Sequence, residues 1–250
     1  MAQLESRRAI VTGAAGALGA VICEVFAREG ANVGGLDLNA DGLAATGERV
    51  RAAGREWTGT AVDLTDFDAV QDATAGLIDR LGGVDVLVNC AGGGAVSFFH
   101  EMSPETWRTQ MARNLDQVFN ATRAVLPSML AARSGRIINI ASIAAVSGGR
   151  LVRGATAYAA AKAGVIGLTK ALAIEVAEQG VTVNAIAPGA QATPGRDKDT
   201  PERREALLAQ IPTRLLGNPE HLAEAIVFLA GPAGVNVTGV VLPLDGGHSI

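Results

Sequence analysis

The sequence predicts a single α/β domain in which a seven-stranded, doubly wound parallel sheet is flanked by helices on both faces. Short apolar segments alternate with helical segments along the whole chain, and a glycine-rich turn follows the first apolar segment. No internal repeat or low-complexity linker divides the 250 residues. Alternation of this kind is typical of a parallel sheet covered by helices. A closed eight-unit barrel is the rival at this length, but seven strands and the position of the glycine-rich turn disfavour it.

The elements follow one another in regular order. Apolar runs bounded by turn residues predict strands at residues 7–11, 32–36, 56–62, 84–88, 136–141, 181–187 and 237–243. Segments with helical periodicity predict helices at residues 20–28, 39–53, 67–81, 104–130, 158–176 and 219–230. Thr65 or Asp66 is expected to cap the third helix, and Pro104 stands at a permitted first-turn position of the fourth. Residues 191–216, rich in charge and proline, contain one short helix at most and are predicted to form a mobile lid.

The composition indicates a chain that buries a sizeable core. Hydrophobic residues make up 48% of the sequence and charged residues 18%, which is unlike a disordered chain. The net charge of −4 argues against a nucleic-acid partner, because phosphate binding requires a basic surface. Cys23 and Cys90 are too few for a disulfide framework and lack the neighbours of a zinc site. We therefore expect a cytoplasmic protein without a metal.

The first residues have one feature of a secretory signal. Arg7 and Arg8 precede an uncharged run at residues 9–23, which is the order of basic and apolar regions in a signal peptide. The alternative is a buried strand followed by a glycine-rich turn and a helix, and the positions of the glycines favour it. No run reaches the roughly 18 apolar residues that a membrane span needs, so no membrane partner is expected.

The turn after the first strand has the composition of a nucleotide-binding loop. Its glycines fall at positions 13, 16 and 19, a wider spacing than in plain GxGxxG. Absent Cβ atoms let a pyrophosphate approach the backbone, and the following helix offers free N–H groups and a positive dipole end. We expect Gly13, Ala15, Gly16, Leu18 and Gly19 to bind a dinucleotide in a Rossmann fold. The alternative is that the glycines merely turn a buried strand.

Asp37 closes the second strand, 18 positions beyond Gly19. An acid about twenty residues after the glycines can accept hydrogen bonds from the adenosine ribose hydroxyls; the alternative is an ordinary helix cap. A 2′-phosphate would be repelled by this carboxylate. No Arg or Lys stands at residues 14–18 or directly after Asp37 to offset the repulsion. The sequence therefore predicts NAD as cofactor, in preference to NADP.

Tyr158 and Lys162 stand four positions apart in an alanine-rich window that favours a helix. That spacing places the phenol and the ammonium on one face of the helix. A free tyrosine titrates near pH ~10. A lysine charge about 4 Å away supplies about 4 kcal/mol at an effective dielectric near 20, which is enough to bring the tyrosine pKa close to neutrality. Such a pair is more often two surface neighbours, so the rest of the chain has to support the chemical interpretation.

Taken together, these motifs resemble the NAD(P)-dependent short-chain dehydrogenase/reductase family over essentially the whole chain. The resemblance rests on residues 12–19, Asp63, residues 89–92, Asn114, Ser142, Tyr158 with Lys162, residues 183–189 and residues 245–247. It implies that Tyr158 donates or accepts the proton and that Ser142 holds the substrate oxygen. It also implies that Lys162 binds the nicotinamide ribose and lowers the tyrosine pKa, while Asn114 anchors a water chain to that lysine.

The resemblance extends the cofactor site beyond the glycine-rich loop and Asp37. Further positions expected at the cofactor are Asp63, Leu64, Asn89, Ala91, Gly92, Pro188, Gly189 and Thr193, the last of which resembles a residue that contacts the nicotinamide amide. A homotetramer is also implied, with the predicted helices at 104–130 and 158–176 and the last strand as contact surfaces. Cys90 departs from the usual Asn-Asn-Ala-Gly of the family, a change expected to be tolerated because the backbone does the binding.

The substrate is less defined than the cofactor. Phe98 and Phe99 are candidates for a pocket wall, although core packing is the commoner role of such residues. The interval from Ser142 to Tyr158 is 16 positions, longer than is common in the family. Its extra residues carry Arg150 and Arg153, which either face solvent or grip an anionic group of the substrate.

The predicted function is hydride transfer between NAD(H) and a secondary alcohol or ketone. Within this class, a 3-oxoacyl-thioester reductase is the main alternative to a dehydrogenase of small cyclic alcohols or hydroxy acids. A non-catalytic NAD-binding sensor is the alternative from another class. All four expected catalytic side chains are present, so no sequence feature favours the sensor.

Overall fold

A seven-stranded parallel sheet forms the centre of the computed structural model, which describes residues 2–148 and 153–250. The strands are β1 (Arg8–Thr12), β2 (Asn32–Asp37), β3 (Trp57–Ala61), β4 (Val86–Asn89), β5 (Gly135–Ile140), β6 (Val181–Pro188) and β7 (Val241–Leu244). Their order across the sheet is β3-β2-β1-β4-β5-β6-β7, and every neighbouring pair is parallel. The strand order reverses between β1 and β4, where ligands bind in open sheets of this kind. The predicted fold class is confirmed.

Helices connect the strands and cover both faces of the sheet. They are α1 (Ala17–Arg28), α2 (Ala40–Ala52), α3 (Phe67–Leu81), α4 (Pro104–Met111), α5 (Gln117–Ala132), α6 (Ala144–Ser147), α7 (Thr156–Val176), α8 (Pro201–Leu208) and α9 (Pro219–Ala230). The side chain of Asp66 caps α3 by accepting a 3.1 Å hydrogen bond from the Ala69 N–H. Within the part of the chain that the structure describes, no helix is long and apolar enough to cross a membrane.

Two core clusters lie on opposite faces of the sheet. On one face, α1, α2 and α9 bury side chains such as Phe26 and Ile226 against strands β1, β4, β5 and β6. On the other face, α3, α5 and α7 bury side chains such as Leu77, Val125 and Met129. Complete burial of a side chain of this size contributes about 1.5–3 kcal/mol. These two clusters hold the sheet in place from both faces. The loops at its carboxyl edge therefore start from a rigid base.

Three predicted elements need correction. The single helix predicted at 104–130 is interrupted by a π-helical segment, Ala112–Asp116. The last strand begins at residue 241 rather than 237, because Gly239 adopts a left-handed conformation with φ +73° and turns the chain before it pairs. Two short helices stand in residues 191–216, the predicted lid, where one at most was predicted: a 3₁₀ turn at Pro194–Lys198 and helix α8.

Candidate active site

A cleft of about 350 Å³ opens at the carboxyl edge of the sheet where the strand order reverses. It is lined by the glycine-rich turn, the ends of β2, β3 and β4, and the π-helical segment. The lining residues are Gly13, Gly16, Ala17, Leu18, Gly19, Asp37, Leu38, Val62, Leu64, Thr65, Cys90, Ala91, Gly92, Arg113 and Gln117. The fold therefore brings half of the predicted cofactor residues together in one groove.

The glycine-rich turn passes so close to the end of β4 that side chains are excluded. Gly13 has φ +69°, and a Cβ built on it would lie 2.7 Å from the Cα of Ala91. The Thr12 hydroxyl oxygen, at the end of β1, accepts hydrogen bonds from the N–H groups of Cys90 (3.1 Å) and Ala91 (3.2 Å). This contact joins the two strands at the base of the cleft. The resulting backbone-lined floor fits the pyrophosphate of a dinucleotide.

Asp37 lies at the rim of this cleft, in the position predicted for a ribose-binding acid. One of its carboxylate oxygens accepts a 3.0 Å hydrogen bond from the N–H of Ala15, and the other accepts one of 3.0 Å from the N–H of Asn39. These two bonds, one to each oxygen, fix the orientation of the carboxylate. Ala15 itself does not line the cleft, and its backbone N–H serves to hold the acid in place.

The side of the cleft formed by the end of β3 is mainly apolar. Leu64 is buried there, and its carbonyl accepts a 2.9 Å hydrogen bond from the side-chain amide of Asn120. Asp63 accepts hydrogen bonds from the N–H (2.9 Å) and the hydroxyl (2.8 Å) of Thr65. These bonds, and more weakly the charge of Arg113, hold the pKa of Asp63 below its usual value. This wall provides an apolar surface for an adenine ring, with an acceptor beside it.

Ser142 and Tyr158 lie at the same sheet edge, beyond the cleft. Ser142 follows β5, and its side-chain oxygen accepts a 3.1 Å hydrogen bond from the N–H of Ala144. Tyr158 lies in the first turn of α7. Burial raises the pKa of the Tyr158 hydroxyl, and a hydrogen bond with Ser142 acts in the opposite direction. The two hydroxyls that the chemistry requires thus lie near each other at this edge of the sheet.

Lys162 is buried one turn along α7 from Tyr158. Its Nζ donates a 2.7 Å hydrogen bond to the carbonyl of Ile140 and lies 5.9 Å from the centroid of the tyrosine ring. Burial lowers the pKa of Lys162 to about 8. The lowering of the tyrosine pKa by this lysine stays a prediction, because burial of the phenol sets the direction of the pKa shift in the protein without cofactor. The ammonium is directed at the strand carbonyl, and burial of the phenol dominates.

Asn114 connects the π-helical segment to the loop after β4. It is fully buried, its Oδ1 accepts a 3.0 Å hydrogen bond from the N–H of Gly93, and its Nδ2 donates to the Gly93 carbonyl at 3.1 Å. A Cβ on Gly92, whose φ is +145°, would lie 2.9 Å from Asn114 Oδ1 and 3.3 Å from Lys162 Nζ. The glycine at 92 therefore allows the loop, the amide and the lysine to meet.

Besides Ala15, Asp63, Tyr158 and Lys162, four further predicted cofactor residues do not line the main cleft. The Asn89 side chain is buried in the core, where its Nδ2 donates to Thr122 (3.0 Å) and Asn139 (2.8 Å). Pro188 and Gly189 lie at the end of β6, and the Pro188 carbonyl accepts a 3.1 Å hydrogen bond from the N–H of Ile143. Thr193 precedes the 3₁₀ turn of the lid. The last three residues thus lie on the Ser142 side of the sheet edge.

Of the predicted substrate residues, Phe98, Phe99 and Arg153 lie in the described part of the chain, outside its strands and α-helices. Phe98 and Phe99 are 46% and 69% exposed, so core packing does not explain them. Their loop is joined to the segment before the tyrosine, since the Ser97 N–H donates a 2.9 Å hydrogen bond to the Gly154 carbonyl. Arg153 is exposed in that segment. Arg150 lies outside the described residues.

Sequence reasoning missed two residues of the cleft, Arg113 and Gln117. They stand four positions apart and flank Asn114, so their helical spacing around a predicted catalytic residue could have revealed them. Among the residues that the structure describes, no group of three His, Cys, Asp or Glu could hold a metal ion.

Comparison with known proteins agrees with this arrangement. The family model for short chain dehydrogenase matches residues 7–204. The chain is 40% identical over 244 residues to a 3-oxoacyl-(acyl-carrier-protein) reductase of Vibrio cholerae, covering 98% of each protein. It is 37% identical over 247 residues to a subunit of a (hydroxy(phenyl)methyl)succinyl-CoA dehydrogenase of Thauera aromatica, covering 99% of this chain and 98% of the relative.

Solved structures show the same similarity in three dimensions. The crystal structure of a 3-oxoacyl-(acyl-carrier-protein) reductase from Brucella melitensis superposes with a TM-score of 0.92 at 34% sequence identity. The match covers 99% of this chain and 93% of that one. Fold, site residues and sequence similarity therefore lead to one conclusion: the chain belongs to the short-chain dehydrogenase family of NAD(P)-dependent oxidoreductases, which act on CH–OH and keto groups.

Proposed function

We propose that the protein transfers a hydride between NAD(H) and a secondary alcohol or ketone, with Tyr158 as the general acid and base. The observation that carries the proposal is that Ser142 and Tyr158 lie beside buried Lys162, whose Nζ is 5.9 Å from the tyrosine ring, at the sheet edge that also holds the dinucleotide cleft. The resemblance to the family supports the same roles.

Oxidation of a secondary alcohol removes a hydride from carbon and a proton from oxygen. The nicotinamide of a bound cofactor supplies or accepts the hydride. Ser142 donates a hydrogen bond to the substrate oxygen, and Tyr158 gives the proton to that oxygen or takes it away. Since burial raises the tyrosine pKa, the phenol of the free protein carries its proton at neutral pH and is ready to donate.

Lys162 and Asn114 support the proton transfer. The Lys162 ammonium stabilises negative charge that forms on the Tyr158 oxygen, and it binds the nicotinamide ribose. Asn114 holds Gly93 at both its N–H and its carbonyl, so the loop next to the lysine keeps its position. In the proposed mechanism this amide also anchors the water chain that supplies protons to Lys162.

The proposed cofactor is NAD rather than NADP, because of Asp37. Its carboxylate is fixed at the cleft rim by two backbone N–H groups and cannot easily turn away from an incoming 2′-phosphate. Two opposite unit charges 4 Å apart interact by about 4 kcal/mol at an effective dielectric near 20, and like charges repel by as much. We expect a preference of at least about a hundredfold in kcat/KM, or about 2.7 kcal/mol.

A second candidate substrate is a 3-oxoacyl thioester, which is itself a ketone. Relatives at 40% and 34% identity are named 3-oxoacyl-(acyl-carrier-protein) reductases, and another relative is named as a dehydrogenase of a CoA thioester. The exposed Phe98 and Phe99 are compatible with an acyl chain or with a cyclic alcohol. Within the proposed class, the choice between these substrates depends on a direct assay.

The assay follows NADH absorbance at fixed enzyme concentration with a panel of candidate substrates. The panel contains cyclic secondary alcohols, hydroxy acids, the matching ketones and a 3-oxoacyl-CoA, each with NAD(H) and with NADP(H). We expect turnover of at least one secondary alcohol or ketone. Tight NADH binding without turnover of any of them would favour the non-catalytic sensor, and activity restricted to 3-oxoacyl-CoA would select the second candidate.

We also propose that the protein works in the cytoplasm as a homotetramer, on a small molecule and without nucleic acid or membrane. Cys23 and Cys90 are both free thiols, which suits a reducing compartment. The family resemblance is the basis for the tetramer, and exposed apolar side chains on α5 and α7 support it.

A further inference from the structure

Arg113 is a charged residue in the wall of the dinucleotide cleft to which neither the sequence nor the family resemblance assigned a role. Among the described residues that line the cleft, Asp37 carries the negative charge and Arg113 is the one cation. A pyrophosphate is an anion, and it would lie on the glycine-rich floor between these two walls. The cleft thus contains one side chain whose charge is suited to the phosphates.

The backbone of Arg113 is held firmly while its side chain is exposed. The Gln117 side-chain amide donates to the Arg113 carbonyl. The next residue, Asn114, is fully buried and bonded to Gly93. Arg113 itself is exposed, and no ion pair within 4.0 Å joins it to a carboxylate of the described residues. Its charge acts weakly on the Asp63 carboxyl, and the guanidinium can move without first breaking an ion pair.

Arg113 and the glycine-rich turn line the same cleft, so both can reach a dinucleotide bound in it. The helix that begins after that turn supplies N–H groups, and the π-helical segment carries Arg113. A guanidinium can bind phosphate oxygens through two parallel hydrogen bonds, which a lysine cannot reproduce. The two walls together would enclose the anion.

We propose that Arg113 binds the pyrophosphate of the dinucleotide and closes the cleft over it. This inference rests on the proposed function, because it requires that the cleft binds NAD(H). It adds a specific residue of this chain to the cofactor site, one that binds the phosphates common to NAD and NADP. Asp37 therefore determines the choice between NAD and NADP, whereas Arg113 contributes to the affinity for both.

The test measures binding rather than activity. Dissociation constants for NADH are determined by calorimetry for the wild type, Arg113→Ala, Arg113→Lys and the matched control Arg108→Ala. Arg108 is exposed on α4, next to the π-helical segment, and does not line the cleft. Competition against NADH then gives the affinities of ADP, which carries the phosphates, and of adenosine, which lacks them.

We expect Arg113→Ala to weaken NADH and ADP by about tenfold, or about 1.4 kcal/mol, and to leave adenosine nearly unchanged. Arg113→Lys should recover part of the loss, Arg108→Ala should bind like the wild type, and added salt should weaken the wild type more than Arg113→Ala. Unchanged NADH affinity in Arg113→Ala would overturn the inference. An equal loss for adenosine and ADP would also overturn it, because Arg113 would then act on the base. A wild type that binds neither NADH nor ADP would instead refute the proposed function.

Discussion

Lys162 has the most unusual environment among the proposed catalytic side chains. It is buried, and its ammonium has one strand carbonyl as a hydrogen-bond partner among the described residues. The cost of that burial appears as a pKa of about 8, well below the usual 10.5. A charge placed in this way can act strongly on a neighbouring phenolate, because little water screens it. The same burial lowers the free energy of unfolding wherever the lysine is protonated.

Comparison of the wild type with Lys162→Met should reveal this cost as a pH-dependent difference in the free energy of unfolding. Between about pH 8 and pH 10.5 the unfolded chain holds the lysine proton more tightly than the folded chain, so Lys162 makes folding more favourable as pH rises through this window. We expect the free energy of unfolding of the wild type, relative to Lys162→Met, to increase by up to about 3 kcal/mol across it. Urea unfolding of both proteins at matched pH measures the difference. A difference that stays constant with pH would show that the lysine is not desolvated.

Asp37→Ala tests cofactor choice at a single residue. Removal of the carboxylate removes the repulsion of a 2′-phosphate, so kcat/KM with NADP should rise while kcat/KM with NAD falls through loss of the ribose contact. We expect the preference of at least about a hundredfold to shrink to within about tenfold. Steady-state kinetics with both cofactors measure it. If the wild type used both cofactors equally well, Asp37 would have no role in selection.

At the scale of elements, the sequence predicted the strands well but did not predict the interruption of the helix at 104–130. Strands β1 to β6 were predicted within about two residues, because apolar runs bounded by turn residues mark buried parallel strands. The π-helical segment was not predicted. We attribute it to a side-chain contact. The Asn114 Nδ2 donates a 3.0 Å hydrogen bond to the Gln110 carbonyl, which in a regular α-helix would accept from the backbone N–H of Asn114. Sequence periodicity does not record such competition.

In the candidate site, too, some properties could be predicted from the sequence and others could not. Four site residues could be located from the sequence. Asp37 and Ser142 stand at strand ends, and Tyr158 and Lys162 stand four positions apart on one helix. The pKa of Tyr158 could not be predicted, because it depends on burial and on the direction of the lysine side chain. Arg113 and Gln117 were missed although they flank Asn114 at helical spacing, because the cleft wall to which they belong forms only when distant segments pack.

The segment between Ser142 and Tyr158 gives a prediction about the substrate. Arg153 is exposed next to Gly154, whose carbonyl contacts the loop that carries Phe98. If the substrate bears an anionic group, Arg153→Ala should raise its KM by about tenfold, or about 1.4 kcal/mol, and leave the KM of a neutral analogue unchanged. Kinetics with an acidic and a neutral member of the substrate panel measure this. Equal effects on both substrates would mean that Arg153 only supports the loop.

At the scale of the whole molecule, apolar side chains remain exposed on the surfaces predicted to meet other copies. Phe119 on α5 is 51% exposed, and Ile174 on α7 is 82% exposed. Strand β7 forms one edge of the sheet, so its outer backbone groups have no strand partner among the described residues. Exposed apolar surface and an open edge are both typical of surfaces that another chain covers.

The assembly is tested by light scattering coupled to size exclusion. We expect a mass near four times the 25.4 kDa of one chain, because burial of these surfaces in neighbouring copies removes apolar area from water. Ile174→Glu should reduce the mass to that of a smaller assembly, while Arg51→Ala, a surface change on α2, should not. A wild-type mass of 25.4 kDa would reject the tetramer.

The central claim is that Tyr158 transfers the proton while the rest of the site binds cofactor. Tyr158→Phe removes only the hydroxyl, so it tests this claim most directly. With a substrate identified by the panel, kcat and the dissociation constant of NADH are measured for the wild type and the variant. The account predicts a fall in kcat of about a hundredfold to ten-thousandfold, with nearly unchanged NADH affinity. A Tyr158→Phe variant that kept roughly a tenth or more of the wild-type kcat would contradict it.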